Sequence, residues 1–139
     1  MSNPIQLACF PKSHDFWIRN QQLAQFLKLP TPIYLSHRDL YRTVGNVFEH
    51  GTKSVYQSNT IRDEMQIAGA GDSFILFSEG NSQIIKQVIM AYKKIGQWPM
   101  LAMQTEMSSK MRLGTLIEHI NADRQHEIKL RKERLHKIK

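Results

Sequence analysis

Four consecutive apolar residues, Phe74-Ile75-Leu76-Phe77, stand between Gly71-Asp72-Ser73 and Glu79-Gly80-Asn81, and no other segment constrains the fold as strongly. A strand with one wet face alternates apolar and polar residues, so an unbroken run this short predicts a strand covered on both faces. Behind it Ile85, Val88, Ile89, Tyr92 and Ile95 recur at helical spacing until Gly96, and a second apolar run, Trp98 to Met103, follows with Pro99 inside it. A strand, a helix of about four turns and a second strand make a βαβ unit over 73–103, with the two strands parallel.

The remaining segments read mostly as helix. Ile5 to Phe10, set between Pro4 and Pro11, suits an edge strand or an extended arm. Ser13 can cap a helix that carries Phe16, Leu23, Phe26 and Leu27 and ends near Leu29, ahead of Pro30 and Pro32. Ser36 and Asp39 have capping-box spacing at the start of a helix that continues through Leu40, Val44, Val47 and Phe48 to Gly51. A short helical turn is expected around Thr60 to Ala68. From Glu106 the pattern is helical to the last residue, with Leu113, Ile117, Ile120, Ile128, Leu135 and Ile138 near one stripe and Gly114 as a weak point. Arg124 and Arg131 interrupt that stripe. Its first part, Met111 to Ile120, is therefore expected on the core, and 121–139 as a polar-seamed coiled coil or a projecting basic helix. No internal repeat or linker is apparent. The fold class expected is α+β, a mostly helical single domain of 139 residues with a small sheet and a long basic C-terminal helix.

Charge is the main functional signal. The chain carries a net +7, and the stretch from Glu127 to Lys139 holds six basic residues (Lys129, Arg131, Lys132, Arg134, Lys137 and Lys139) against two acidic ones. More than half of the net charge thus sits at one end, an asymmetry that points to a polyanionic or acidic partner. The single cysteine, Cys9, excludes an internal disulfide and fits a reducing compartment, where it reads as a small buried apolar residue. Met1 to Phe10 has no signal-peptide pattern, and no apolar run reaches the roughly 18 residues of a membrane span, so a cytoplasmic protein is expected.

The constellations for chemistry are sparse. His119, Asp123, His126 and Glu127 have the helical spacing of a metal site, but no cysteine pair or HExxH string accompanies them. Glu79-Gly80-Asn81-Ser82 enters a helix, where free N–H groups can hold an anion, yet it lacks the phosphate-loop and dinucleotide patterns. No nucleophile-elbow or triad context occurs, so no enzyme and no cofactor is expected. Trp17, Tyr34, Tyr41, Phe74, Phe77, Tyr92 and Trp98 are assigned to core packing, and Tyr56 beside Lys53 to the surface.

For nucleic acid the pattern offers two outlines. Leu23 to Leu29 followed by Ser36 to Arg42 has the order of a helix-turn-helix, although Lys28, Pro30 and Pro32 make its turn too long. The Ile5 to Phe10 segment with the next two helices has the order of a ribbon-helix-helix, with Asn3 and Gln6 as the only base readers on the strand. The reading that follows is a small basic DNA-binding protein, a transcriptional regulator acting as a homodimer. Arg38, Arg42 and Asn46 would face base edges, and Lys129, Arg131, Lys132, Arg134 and Lys137 the phosphates. The alternative is a non-enzymatic interaction or inhibitor protein docking its basic helix on an acidic protein or a ribonucleoprotein.

Overall fold

Ser13 accepts a hydrogen bond from the Phe16 N–H (3.1 Å) and starts helix α1, His14–Phe26. Before it lies strand β1, Leu7–Phe10, and after it the two-residue strand β2, Ile33–Tyr34. The computed structural model describes residues 5–52, 73–78 and 82–137, with backbone only for 135–137. Within them, helix α2 is Val44–His50, strand β3 Phe74–Phe77, helix α3 Ser82–Lys94, strand β4 Met100–Met103 and helix α4 Leu113–Lys137. The expected turn at Thr60 to Ala68, Tyr56, Asn3 and the 79–81 turn lie outside the described residues.

The strands form one mixed sheet in the order β2-β1-β3-β4. β3 and β4 are parallel, Phe74 opposite Met100 and Phe77 opposite Met103, as the βαβ pattern predicts. β1 is a correction to the expected edge strand or arm: it pairs with β2 on one side and antiparallel with β3 on the other. Its residues are all buried, as an interior strand requires. Pro11 directly follows its last residue and carries no information about its neighbours.

Alternation along the strands feeds two cores. Ala8, Phe10, Phe74, Leu76 and Met100 meet Val44 and Val47 of α2 and Leu113, Leu116 and Ile117 of α4. Leu7, Cys9, Ile75 and Phe77 meet Phe16, Trp17 and Ala24 of α1 and Val88 and Tyr92 of α3 on the opposite face. A helical layer on each side is why β3 can be apolar throughout. Phe26, placed on the α1 stripe by its spacing, is exposed instead.

The chain is built from two like halves, which corrects the expectation of no repeat. α1 and α3 both have 13 residues, β1 and β3 both have four. α1 ends in a bond from the Leu29 N–H to the Ala24 carbonyl (2.8 Å) across Lys28 at φ 59°, and α3 in one from the Gln97 N–H to the Tyr92 carbonyl (3.0 Å) across Gly96 at φ 70°. Ser36 and Asp39 are matched by Thr105 and Ser108: the Ser36 N–H donates to Asp39 Oδ2 (3.0 Å), the Thr105 N–H to Ser108 Oγ (2.7 Å). Where the halves meet, the Val44 N–H donates to the Met111 carbonyl (3.0 Å) and the Leu113 N–H to the Arg42 carbonyl (2.8 Å), a reciprocal pair about an approximate two-fold axis. Thr43 stands opposite Arg112 at this junction.

Candidate nucleic-acid interface

The capping box at Ser36 forms, but it closes a 3₁₀ turn at His37–Asp39 and not a long helix. Thr43 is extended (φ −74°, ψ 152°) because its neighbours are bonded across to the other half, and its own Oγ1 caps α2 through the Asn46 N–H (3.2 Å). The helix expected from Ser36 to Gly51 is therefore two pieces. Arg38 lies exposed on the 3₁₀ turn, Arg42 in the link and Asn46 in the first turn of α2, so the three do not form one helical stripe.

Two of these three side chains hold each other. Arg42 donates from Nε to Asn46 Oδ1 (2.8 Å), from Nη2 to the Asn46 carbonyl (3.2 Å), and from Nη1 to buried Asp39 (3.1 Å). A base edge would have to displace charge-assisted bonds from that guanidinium. Arg38 is not bound in this way, and at the junction Arg112 of the second half stands opposite Thr43; Arg38, Tyr41, Lys110 and Arg112 are all exposed. Sequence spacing could not bring the segment of Arg38 to that of Arg112, because they are joined by contacts between residues far apart in the chain, at Leu40 to Val44 and Met111 to Gly114.

Neither DNA-binding outline survives the topology. α1 and α2 pack on opposite faces of the sheet with β2 between them, so they are not a helix-turn-helix. β1 has both edges paired within its own sheet and has none left for a two-chain ribbon.

Helix α4 begins in the core and leaves it. Leu113, Leu116 and Ile117 are buried and Ile120 is half-buried, whereas residues 125–134 are exposed throughout. Lys129, Arg131, Lys132 and Arg134 thus stand in water on a helix anchored at its other end; Lys137 closes its last turn. At a rise of about 1.5 Å per residue, the cations from Arg112 to Arg134 span roughly 33 Å. His119, Asp123, His126 and Glu127 are all exposed, and no group of His, Cys, Asp or Glu suited to a metal ion occurs among the described residues. Cys9 is fully buried and burial pushes its thiol well above the ordinary range, so it is a packing residue.

Two aromatic rings assigned to core packing, Tyr41 and Trp98, are exposed instead, and Trp98 belongs to this surface. Trp98 is 59 % exposed, and Lys93 Nζ lies 5.9 Å from its ring centre. It borders an open cleft of about 590 Å³ between β4 and α4, whose lining includes Arg124, Ile128 and Arg131. The spacing signal that could have found it is the position of Trp98 between Gly96 and Pro99, in a connection and not on the α3 stripe.

Residues 73–126 match the model of a family described as a domain of unknown function (DUF3783). The matched stretch runs from β3 into α4 and so covers the second of the two halves. No curated protein and no solved structure matches the chain. No helix among the described residues is long and apolar enough to cross a membrane.

Proposed function

We propose that this chain is a small nucleic-acid-binding protein, with DNA as its first candidate target and gene regulation as the use its size and charge suit. The observation that carries the reading is the exposed row Lys129, Arg131, Lys132 and Arg134 on a helix whose first turns are fixed in the core. Cations held on a fixed helix neutralise phosphates and release condensed counterions, which supplies affinity without reading sequence. Arg38, Lys110 and Arg112, on the segments that meet at the junction of the halves, are further candidates for phosphate contact. Discrimination between sequences rests on Arg38, since Arg42 and Asn46 are engaged with each other.

Ile128 and Leu130, 39 % and 38 % exposed, favour a second reading in which α4 docks on an acidic protein, because apolar side chains among cations suit a protein surface better than a phosphate backbone. Titration of the full chain with duplex DNA, single strands and RNA at low and at raised salt separates the two. Binding that weakens steeply with salt, with a site-dependent part above it, supports a regulator; no binding to any of the three supports the protein-docking reading.

A further inference from the structure

Trp98 is exposed where the rest of the fold gives it no packing task. The other tryptophan, Trp17, is 5 % exposed and sits edge-on to Tyr34 in the core. The loop that carries Trp98 is nonetheless well fixed. Gly96 takes the left-handed turn that ends α3, bonded through the Gly96 N–H to Lys93 (3.0 Å) and the Gln97 N–H to Tyr92 (3.0 Å), and Pro99 and the Met100 N–H bond to Ser73 (2.8 Å) hold the far side. A large apolar ring on a rigid loop in water is a contact surface awaiting a partner.

Its surroundings select the partner. Trp98 and Arg124 stand at the junction of two depressions: a small one of about 200 Å³ reaching Lys12, and the larger cleft reaching Arg131. Lys93 lies over the ring, Lys12 and Arg124 line the small depression and Arg124 and Arg131 the cleft, so cations lie along both depressions that Trp98 borders and onto the basic half of α4. Base stacking on an aromatic ring combined with cations along the backbone is how unpaired strands are held; a duplex interior offers no free base face to such a ring. The small depression is too tight to enclose a nucleotide, and both open to solvent, which suits a strand passing through and not a captured mononucleotide.

Resting on the nucleic-acid reading above, we propose that Trp98 is a stacking platform for an unpaired base, with Lys12, Lys93, Arg124 and Arg131 contacting the phosphates on either side. The ligand is a single strand, of DNA or RNA. Asp123 and Glu127 lie on the lining of the same cleft and oppose it.

The test uses the full chain, its Trp98→Ala and Trp98→Phe variants, and labelled oligothymidylate, oligouridylate and a blunt duplex as probes. Trp98→Ala weakens the single strands about 5- to 150-fold, the span of one base–aromatic stack, and leaves the duplex unchanged. Trp98→Phe retains most of the affinity, because a ring remains. Asp123→Asn with Glu127→Gln tightens single-strand binding. The fluorescence of the wild type is quenched on binding and that of Trp98→Phe is not, since Trp17 is buried. Comparison of the thymidylate and uridylate arms tells DNA from RNA. Unchanged single-strand affinity in Trp98→Ala, or an equal loss on single strand and duplex, overturns the stacking site. Salt-sensitive duplex binding in the same experiment would leave the phosphate reading standing, whereas a wild type that holds neither duplex nor single strand overturns both.

Discussion

At the scale of single residues, the polar groups inside the fold are the ones whose removal should be felt. Asn20 is fully buried in α1, and its Oδ1 accepts from the Tyr92 hydroxyl of α3 (2.9 Å), while its Nδ2 has no hydrogen-bond partner. Tyr92→Phe should therefore cost about 1–3 kcal/mol, because it leaves a buried acceptor unsatisfied. Chemical denaturation measures this, and pairing it with Asn20→Leu should recover part of the loss. Burial also pushes the Cys9 thiol and the Tyr92 hydroxyl above their ordinary values. Both stay protonated when folded, so the Cys9 contribution is intact below the ordinary thiol value of 9.0 and the Tyr92 contribution below the ordinary phenol value of 10.0, and each is lost as pH rises beyond that value. The expected slope is about 1.4 kcal/mol per pH unit for each group ionised only in the unfolded chain. Denaturation midpoints between neutral and strongly alkaline pH should fall accordingly, and Cys9→Ala should flatten the first part of the decline. The burial of Cys9 was legible from its apolar neighbours. The exposure of Tyr41 and Trp98 was not, because an aromatic residue beside apolar ones has the same local pattern in a core or on a rim.

At the scale of elements, local pattern gave the helices and the parallel pair, since periodicity and caps lie within a few residues of each other. Ser13 and Gly51 mark α1 and α2 where their side chains and backbone require. What local pattern could not give is the break at Thr43, which exists because the Arg42 carbonyl accepts from the Leu113 N–H and the Val44 N–H donates to the Met111 carbonyl, residues far along the chain. The repeat was visible in principle: Val44-Gly45-Asn46-Val47-Phe48-Glu49-His50 and Leu113-Gly114-Thr115-Leu116-Ile117-Glu118-His119 share glycine, glutamate, histidine and their apolar positions. It was hidden because the strands and first helices of the halves share almost no identities. The two glycines have one task. A Cβ at Gly45 would lie 3.1 Å from the Ser109 carbonyl oxygen, and one at Gly114 3.1 Å from that of Leu40. The Leu40 carbonyl also accepts from the Gly114 N–H (2.8 Å), so it is not free to retreat. Gly114→Ala and Gly45→Ala should each destabilise by about 1 kcal/mol, the crowding outweighing the helix-propensity gain of similar size. Thermal melts showing either variant more stable than wild type would refute the close approach.

At the scale of the whole molecule, two βαβ-containing halves share one sheet, and only the second continues into a long helix that runs on past the core. The cores on both sheet faces account for β1, β3 and the first turns of α4; they give no task to residues 125–134. Exposed Ile128 and Leu130 on that segment, with Leu135 and Ile138 following in the sequence, predict self-association through α4. Sedimentation at micromolar concentration should find a dimer that deletion of Lys129–Lys139 abolishes, and a monomer at every concentration would remove the homodimer. The function proposed stands or falls with the same helix. Deleting Lys129–Lys139 removes six basic residues and one acidic residue, and residues 129–134 are exposed and outside both cores, so far-ultraviolet dichroism should show the rest of the fold intact. The most direct measurement is the dependence of duplex-DNA affinity on salt concentration for the full chain and for this truncation. The full chain should show a steep decline, and the truncation should bind more weakly with a slope shallower by about 0.9 for each phosphate that the missing cations would have neutralised. Equal affinity and equal slope in the two proteins would contradict a phosphate-binding role for α4.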